Sequence, residues 1–135
     1  MNYWLMKSEP STYSIDDLAR DKETCWEGVR NYQARNFMRD AMKVGDRVLF
    51  YHSNAEPSGV AGIAEICKEG YLEAKPQWYM VDLHFVEKFK KFISLEELKA
   101  TASLKEMMVV QRGSRLSVQP VGKKHFEIVC KLGGK

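Results

Sequence analysis

The sequence has little of what marks a disulfide-stapled, metal-dependent or membrane-spanning protein. Its three cysteines, Cys25, Cys67 and Cys130, are odd in number and far apart. Without a CxxC pair, neither a disulfide framework nor a zinc site is indicated, and no metal and no cofactor are expected. Cysteine usage of this kind suits a reducing compartment, so the cytoplasm is expected, or the nucleus of a eukaryotic cell. No apolar run approaches the roughly 20 residues of a membrane span, which leaves the membrane out as a partner. The stretch Met1 to Met6 is too short, and too soon interrupted by Lys7 and Glu9, to be a signal peptide. No GxxxxGK[ST], GxGxxG or HExxH pattern occurs. Repeats, low-complexity tracts and linkers are also missing, so residues 1 to 135 read as one domain.

What is present is an ordinary globular composition. Hydrophobic residues make up 44% and charged residues 29% of the chain, enough for one proper core. A net charge of +3 is mild and alone would not suggest nucleic acid. Its distribution says more. Residues 111 to 135 carry six Lys or Arg against one acid, Glu127, while residues 1 to 110 carry fifteen against seventeen. The run Lys88, Lys90 and Lys91 reads as a solvated face.

Periodicity outlines the elements. "NYWLMK", "RVLFYHS", "VAGIAEICKE", "QWYMVDLHFVEKF" and "RLSVQP" read as strands, the last stopped by Pro120. "SIDDLARD" opens with Ser14 at N-cap and Asp17 at N3, a capping box for a short helix. Ser94 with Glu97, and Ser103 with Glu106, open two more. "GKKHFEIVCKLGG" is a closing helix with Gly133 as its C′ residue. "TCWEG" reads as a loop. After it, Ala34, Phe37, Met38, Ala41 and Met42 mark the buried stripe of a helix from about Tyr32 to Met42, with Asn31 as N-cap. About five or six strands with short helices and no regular βαβ alternation predict an α+β protein, a mixed β pseudobarrel with peripheral helices.

The start of that helix poses a question of charge. A helix N-terminus is already partly positive and favours acids, yet here it carries Arg30 and Arg35. Such a site would suit an arriving anion such as phosphate. Further polar and aromatic groups stand at the ends of elements: Lys7 and Ser8, Trp26, Tyr51 with His52 and Ser53, and Arg115 with Ser117. Aromatic faces for stacking and a few fixed donors and acceptors are what a pocket for a base requires. Trp4 and Trp78 read as core residues; Trp26, in a polar loop, could serve either core or pocket. Cys25 and His52 could form a nucleophile–base pair, but no local signature surrounds the cysteine. Nothing in the sequence demands catalysis, and a non-enzyme is expected.

The motifs "WLMKSEP", "CWEGVRNYQARNF", "FYHS", "GVAGIAE", "WYMVDLHF" and "RLSVQP", in this order, closely resemble the EVE domain family, from Tyr3 to about Leu132. The resemblance implies a fold similar to PUA domains and kinship with YTH and ASCH domains. It also implies a reader of modified bases in DNA or RNA, with a pocket on one side of the barrel. Transferred position by position, that pocket draws on Lys7, Ser8, Trp26, Val29, Arg30, Asn31, Tyr51, His52, Ser53, Arg115 and Ser117. Trp26 would stack on the base, Asn31 and Ser8 would read its edge, and Arg30, Arg35 and Arg115 would hold phosphate. The sequence departs from its relatives between Tyr71 and Trp78, where a long insertion is common and only "LEAKPQ" stands here. A more open site is expected there. Two other readings stay open on the same fold: an enzyme acting on a nucleotide or base, and a protein-interaction module.

Overall fold

The computed structural model describes residues 1–74, 77–111 and 116–134. Six strands form one mixed sheet: β1 (Tyr3–Ser8), β2 (Glu23–Trp26), β3 (Arg47–His52), β4 (Gly59–Leu72), β5 (Tyr79–Ser94) and β6 (Val118–Val121). Their order across the sheet is β2-β5-β4-β3-β1-β6. Among the described residues only the β1–β3 pair is parallel, with Tyr3 opposite Arg47 and Ser8 opposite His52. The α+β fold with short peripheral helices agrees with the sequence reading.

The parallel pair β1 and β3 reads as almost continuous apolar runs because both their faces are covered. Trp4, Met6, Val48 and Phe50 point into a core shared with Ile15, Leu18, Ala34 and Met38. Leu5, Leu49 and Tyr51 point the opposite way, into a second core with Phe89, Ile93, Leu98, Phe126 and Val129. One buried charge anchors the first core. Asp46 accepts from Trp4 Nε1, from Lys43 N and from Asn2 N, each at 3.0 Å. These bonds satisfy the carboxylate and hold the turn before β3 against β1.

Short helices α1 (Ile15–Asp21), α2 (Tyr32–Asn36), α3 (Leu95–Ala100) and α4 (Lys123–Leu132) sit around the sheet. Ser14 and Asp17 form the expected capping box of α1. Asn31 caps α2 through its side chain on Ala34 N, and Ser94 caps α3 through Glu97 N. Lys88 pairs with Asp16 at 2.9 Å and Lys91 with Glu97 at 3.0 Å, so this basic run is a solvated, ion-paired face.

Five local expectations are corrected. "TCWEG" is not a loop: its first three residues lie in β2, paired antiparallel with Asp82 to Val81 and their neighbours on β5, a cross-strand contact invisible to local composition. The helix after Asn31 is α-helical only to Asn36 and continues as a π-turn over Phe37–Ala41. Ser103 caps no helix, because it lies inside a 3-10 turn over Ala102–Leu104. Pro120 does not stop β6, since an edge strand can spare the N–H that proline lacks. At the end of α4, Gly134 (φ +89°) and not Gly133 (φ −77°) takes the left-handed conformation.

Candidate functional site

A cavity of about 620 Å³ opens between the end of β1, the segment leading into α1, strand β2 and the connection from β2 to α2. The volume falls within the roughly 300–1,000 Å³ range of small-molecule sites. Six of the residues named from the sequence line it: Lys7, Ser8, Trp26, Val29, Arg30 and Ser117. They converge because the β1–β6 pairing places Lys7 N on Ser117 O at 2.9 Å, and because β2 carries Trp26 to the cavity wall.

Each wall has its own chemistry. Trp26 is half-buried and meets Phe50 edge-on, with 5.6 Å between ring centroids, so the core fixes its ring while one side borders the cavity. Buried Val29 adds apolar surface. Ser8 Oγ donates to Tyr13 O at 2.6 Å. Its proton is therefore committed, and toward the cavity it offers lone pairs. The Lys7 ammonium stands 5.8 Å from the Tyr51 ring, and partial burial lowers its pKa from the usual lysine value. Gly28 turns the chain at φ +84°, a conformation costly for a side chain.

The charge question at α2 has an answer within the protein. Glu73 accepts from Arg30 through both carboxylate oxygens, at 3.0 and 2.9 Å, and from Gly28 N at 3.1 Å. Glu73 belongs to the shortened segment after Tyr71. That segment supplies a carboxylate to Arg30, which lines the cavity. Arg35 is also engaged, donating to Gln77 O at 2.9 Å and to Asn36 Oδ1 at 2.8 and 3.1 Å. The two arginines bracket an aromatic stack. Arg30 lies 5.0 Å from the Trp78 ring, Trp78 stacks on Tyr32 at 4.9 Å, and Arg35 lies 4.9 Å from Tyr32. Trp78 is thus a half-buried surface stack rather than a core residue, whereas Trp4 is core.

The remaining residues named from the sequence fall elsewhere. Asn31 is exposed, with Oδ1 used on Ala34 N. Tyr51 is buried in the second core, and burial raises its pKa. His52 Nε2 accepts from Ile15 N at 3.1 Å, which ties the start of α1 to the end of β3. Burial lowers its pKa, more than nearby Asp16 raises it. Ser53 N donates to Ser8 O at 2.9 Å. Arg115 lies outside the described residues. Cys25 lines the cavity and His52 does not, so the pair considered for catalysis is not assembled there. Sequence reasoning missed Tyr13, Thr24, Glu27 and Glu73. Tyr13 and Thr24 carried a weak signal as neighbours of motif residues, and Glu73 carried none.

An EVE domain model matches residues 2–132. The chain belongs to the EVE domain family. It is 42% identical to human thymocyte nuclear protein 1, covering 99% of this chain and 75% of that protein. That alignment spans 169 positions against 135 residues here, so the human protein carries extra residues inside the matched region. Among solved structures, this EVE domain superposes on protein PSPTO5229 of Pseudomonas syringae with TM-score 0.91 and 41% identity, covering 97% of this chain and 99% of that one. It superposes on human THYN1 in complex with 5-methylcytosine-containing DNA with TM-score 0.90 and 40% identity, covering 100% of this chain and 99% of that one.

Proposed function

We infer that this EVE domain is a non-catalytic module that binds nucleic acid and accepts a modified base in the cavity beside Trp26. The observation that carries this reading is the match, over the whole of this chain, to the structure of human THYN1 solved with 5-methylcytosine-containing DNA. The cavity chemistry supports it. An extruded base needs an aromatic face, apolar surface for an added methyl group, and polar groups for its edge. Trp26, Val29 and Ser8 offer these in turn. Because the Ser8 hydroxyl proton is spent on Tyr13 O, the serine selects a donor such as the exocyclic amine of cytosine. Modified cytosine in DNA is therefore the first candidate. Lys7 and the basic segment from residue 111 onward would meet phosphate.

The test is direct binding of the purified protein to matched oligonucleotides, single- and double-stranded, DNA and RNA, with cytosine or 5-methylcytosine. Tighter binding to the methylated DNA, weakening steeply with salt, is the expected result. Equal affinity for methylated and plain strands would remove the reader role. Affinity insensitive to salt would favour a protein-interaction module on this fold.

A further inference from the structure

Away from the cavity, on the part of the sheet where β2, β5 and β4 run side by side, three different metal-ligand types converge. Glu23 on β2, Cys67 on β4 and His84 on β5 place one potential ligand atom each within 4.8 Å of the others. The juxtaposition is a product of strand register. Glu23 is the cross-strand partner of His84, and His84 is the partner of Glu65, two residues before Cys67 on the same face of β4. No sequence spacing could announce it, because the ligands come from three strands.

We propose that Glu23, Cys67 and His84 form a binding site for a single divalent cation of the zinc class. Three features of the geometry argue for it. First, Cys67 Sγ donates to Glu23 Oε1 at 3.3 Å. A sulfur and an oxygen on bonds of about 2.3 and about 2.0 Å at a tetrahedral angle stand about 3.5 Å apart. The two ligand atoms already stand at nearly the separation that a shared cation requires, so they need little movement. Second, the charges close. A divalent cation, a thiolate and one carboxylate sum to zero with a neutral imidazole. The neighbouring Glu65, 3.0 Å from His84 Nε2, is balanced by Arg47 at 3.2 Å. A carboxylate on the imidazole is also the usual companion of a ligating histidine. Third, the donor set is mixed. A thiolate with an imidazole and one carboxylate suits zinc and its borderline neighbours, and does not suit calcium or magnesium, which take oxygen ligands.

Such an ion would tie β2 to β4 and β5. Edge strand β2 carries Trp26, so the cation would brace one wall of the cavity without entering it.

The experiment uses the full chain, stripped of metal and titrated with Co2+ and with Zn2+. A saturable one-to-one Co2+ complex with a thiolate-to-cobalt absorption band is expected, displaced by Zn2+. Cys67→Ser should abolish that band, and His84→Gln should weaken Zn2+ binding by more than the roughly 10- to 100-fold that loss of a ligand's outer partner costs. Cys25→Ser, which removes the other cysteine of this part of the sheet, two residues from Glu23 and outside the three-ligand cluster, should leave both unchanged. Added Zn2+ should raise the melting temperature of the wild type and not of Cys67→Ser. No Co2+–thiolate band in the wild-type protein would overturn the site, as would a band that survives in Cys67→Ser or vanishes in Cys25→Ser.

Discussion

Arg30 and Glu73 stand 43 residues apart in the chain and form a two-pronged ion pair at the rim of the cavity. The same carboxylate accepts from Gly28 N. Glu73 thus fills the role an incoming phosphate would play toward a guanidinium and a free backbone N–H. Its side chain is only 7% exposed, against 40% for Arg30. The charge of Arg30 is therefore neutralised from within the protein, while Arg35 donates to the neutral acceptors Asn36 Oδ1 and Gln77 O, and a nucleic acid that uses Arg30 must displace Glu73.

That displacement can be measured. Glu73→Gln removes a negative charge from the rim and releases Arg30. Affinity for 5-methylcytosine DNA should rise several-fold, and the slope of log affinity against log salt should steepen by about 1. Weaker binding in this variant would show that Glu73 serves the bound state instead.

Trp26 holds two positions at once, one side on Phe50 and one side on the cavity. Trp26→Ala should weaken a preferred oligonucleotide by about 10- to 100-fold, the loss of one base–aromatic stack worth roughly 1–3 kcal/mol. Because the ring is only partly buried, its removal should cost less stability than the roughly 3–5 kcal/mol of a fully buried tryptophan. Chemical denaturation and binding on the same sample separate the two losses. A variant that unfolds outright would make Trp26 a core residue.

Asp46 is 3% exposed and satisfies three donors. Asp46→Ala strands Trp4 Nε1 and two backbone N–H groups, and should cost about 3 kcal/mol in urea denaturation. Asp46→Asn keeps the acceptor oxygen but turns an NH2 group toward other donors, so it should fall between the two. A loss below about 1 kcal/mol for the alanine variant would mean that water replaces the carboxylate.

His52 links stability to pH. Its Nε2 accepts from Ile15 N, which requires the neutral ring, and burial lowers its pKa in the folded protein. The unfolded state therefore binds this proton more readily. The contribution of His52 is fully present above about pH 6.5 and declines as pH falls toward the lowered folded value. In His52→Gln, where an amide oxygen can still accept from Ile15 N, this part of the decline should disappear. Urea midpoints compared across pH 5 to 7.5 decide it; parallel curves for the two proteins would assign the acid loss to other groups.

Features that depend on neighbours within about four residues, or on simple alternation, are legible in the chain alone. Ser14, Asn31 and Ser94 cap helices because each side chain reaches a backbone N–H three residues on. Strands β1 and β3 were legible because both their faces are buried and the apolar run is nearly unbroken. The motifs that carry the family resemblance made the pocket residues nameable, and six of them meet around one cavity. Tertiary structure alone decided the rest. Trp26 lies in a strand because β5 offers it a partner, although its own segment is polar. Glu73 reaches Arg30, and Glu23, Cys67 and His84 meet, only because long-range register brings separate strands and loops together. Register is set by the packing of whole sheet faces, so residues tens of positions apart become neighbours with no local pattern to mark them.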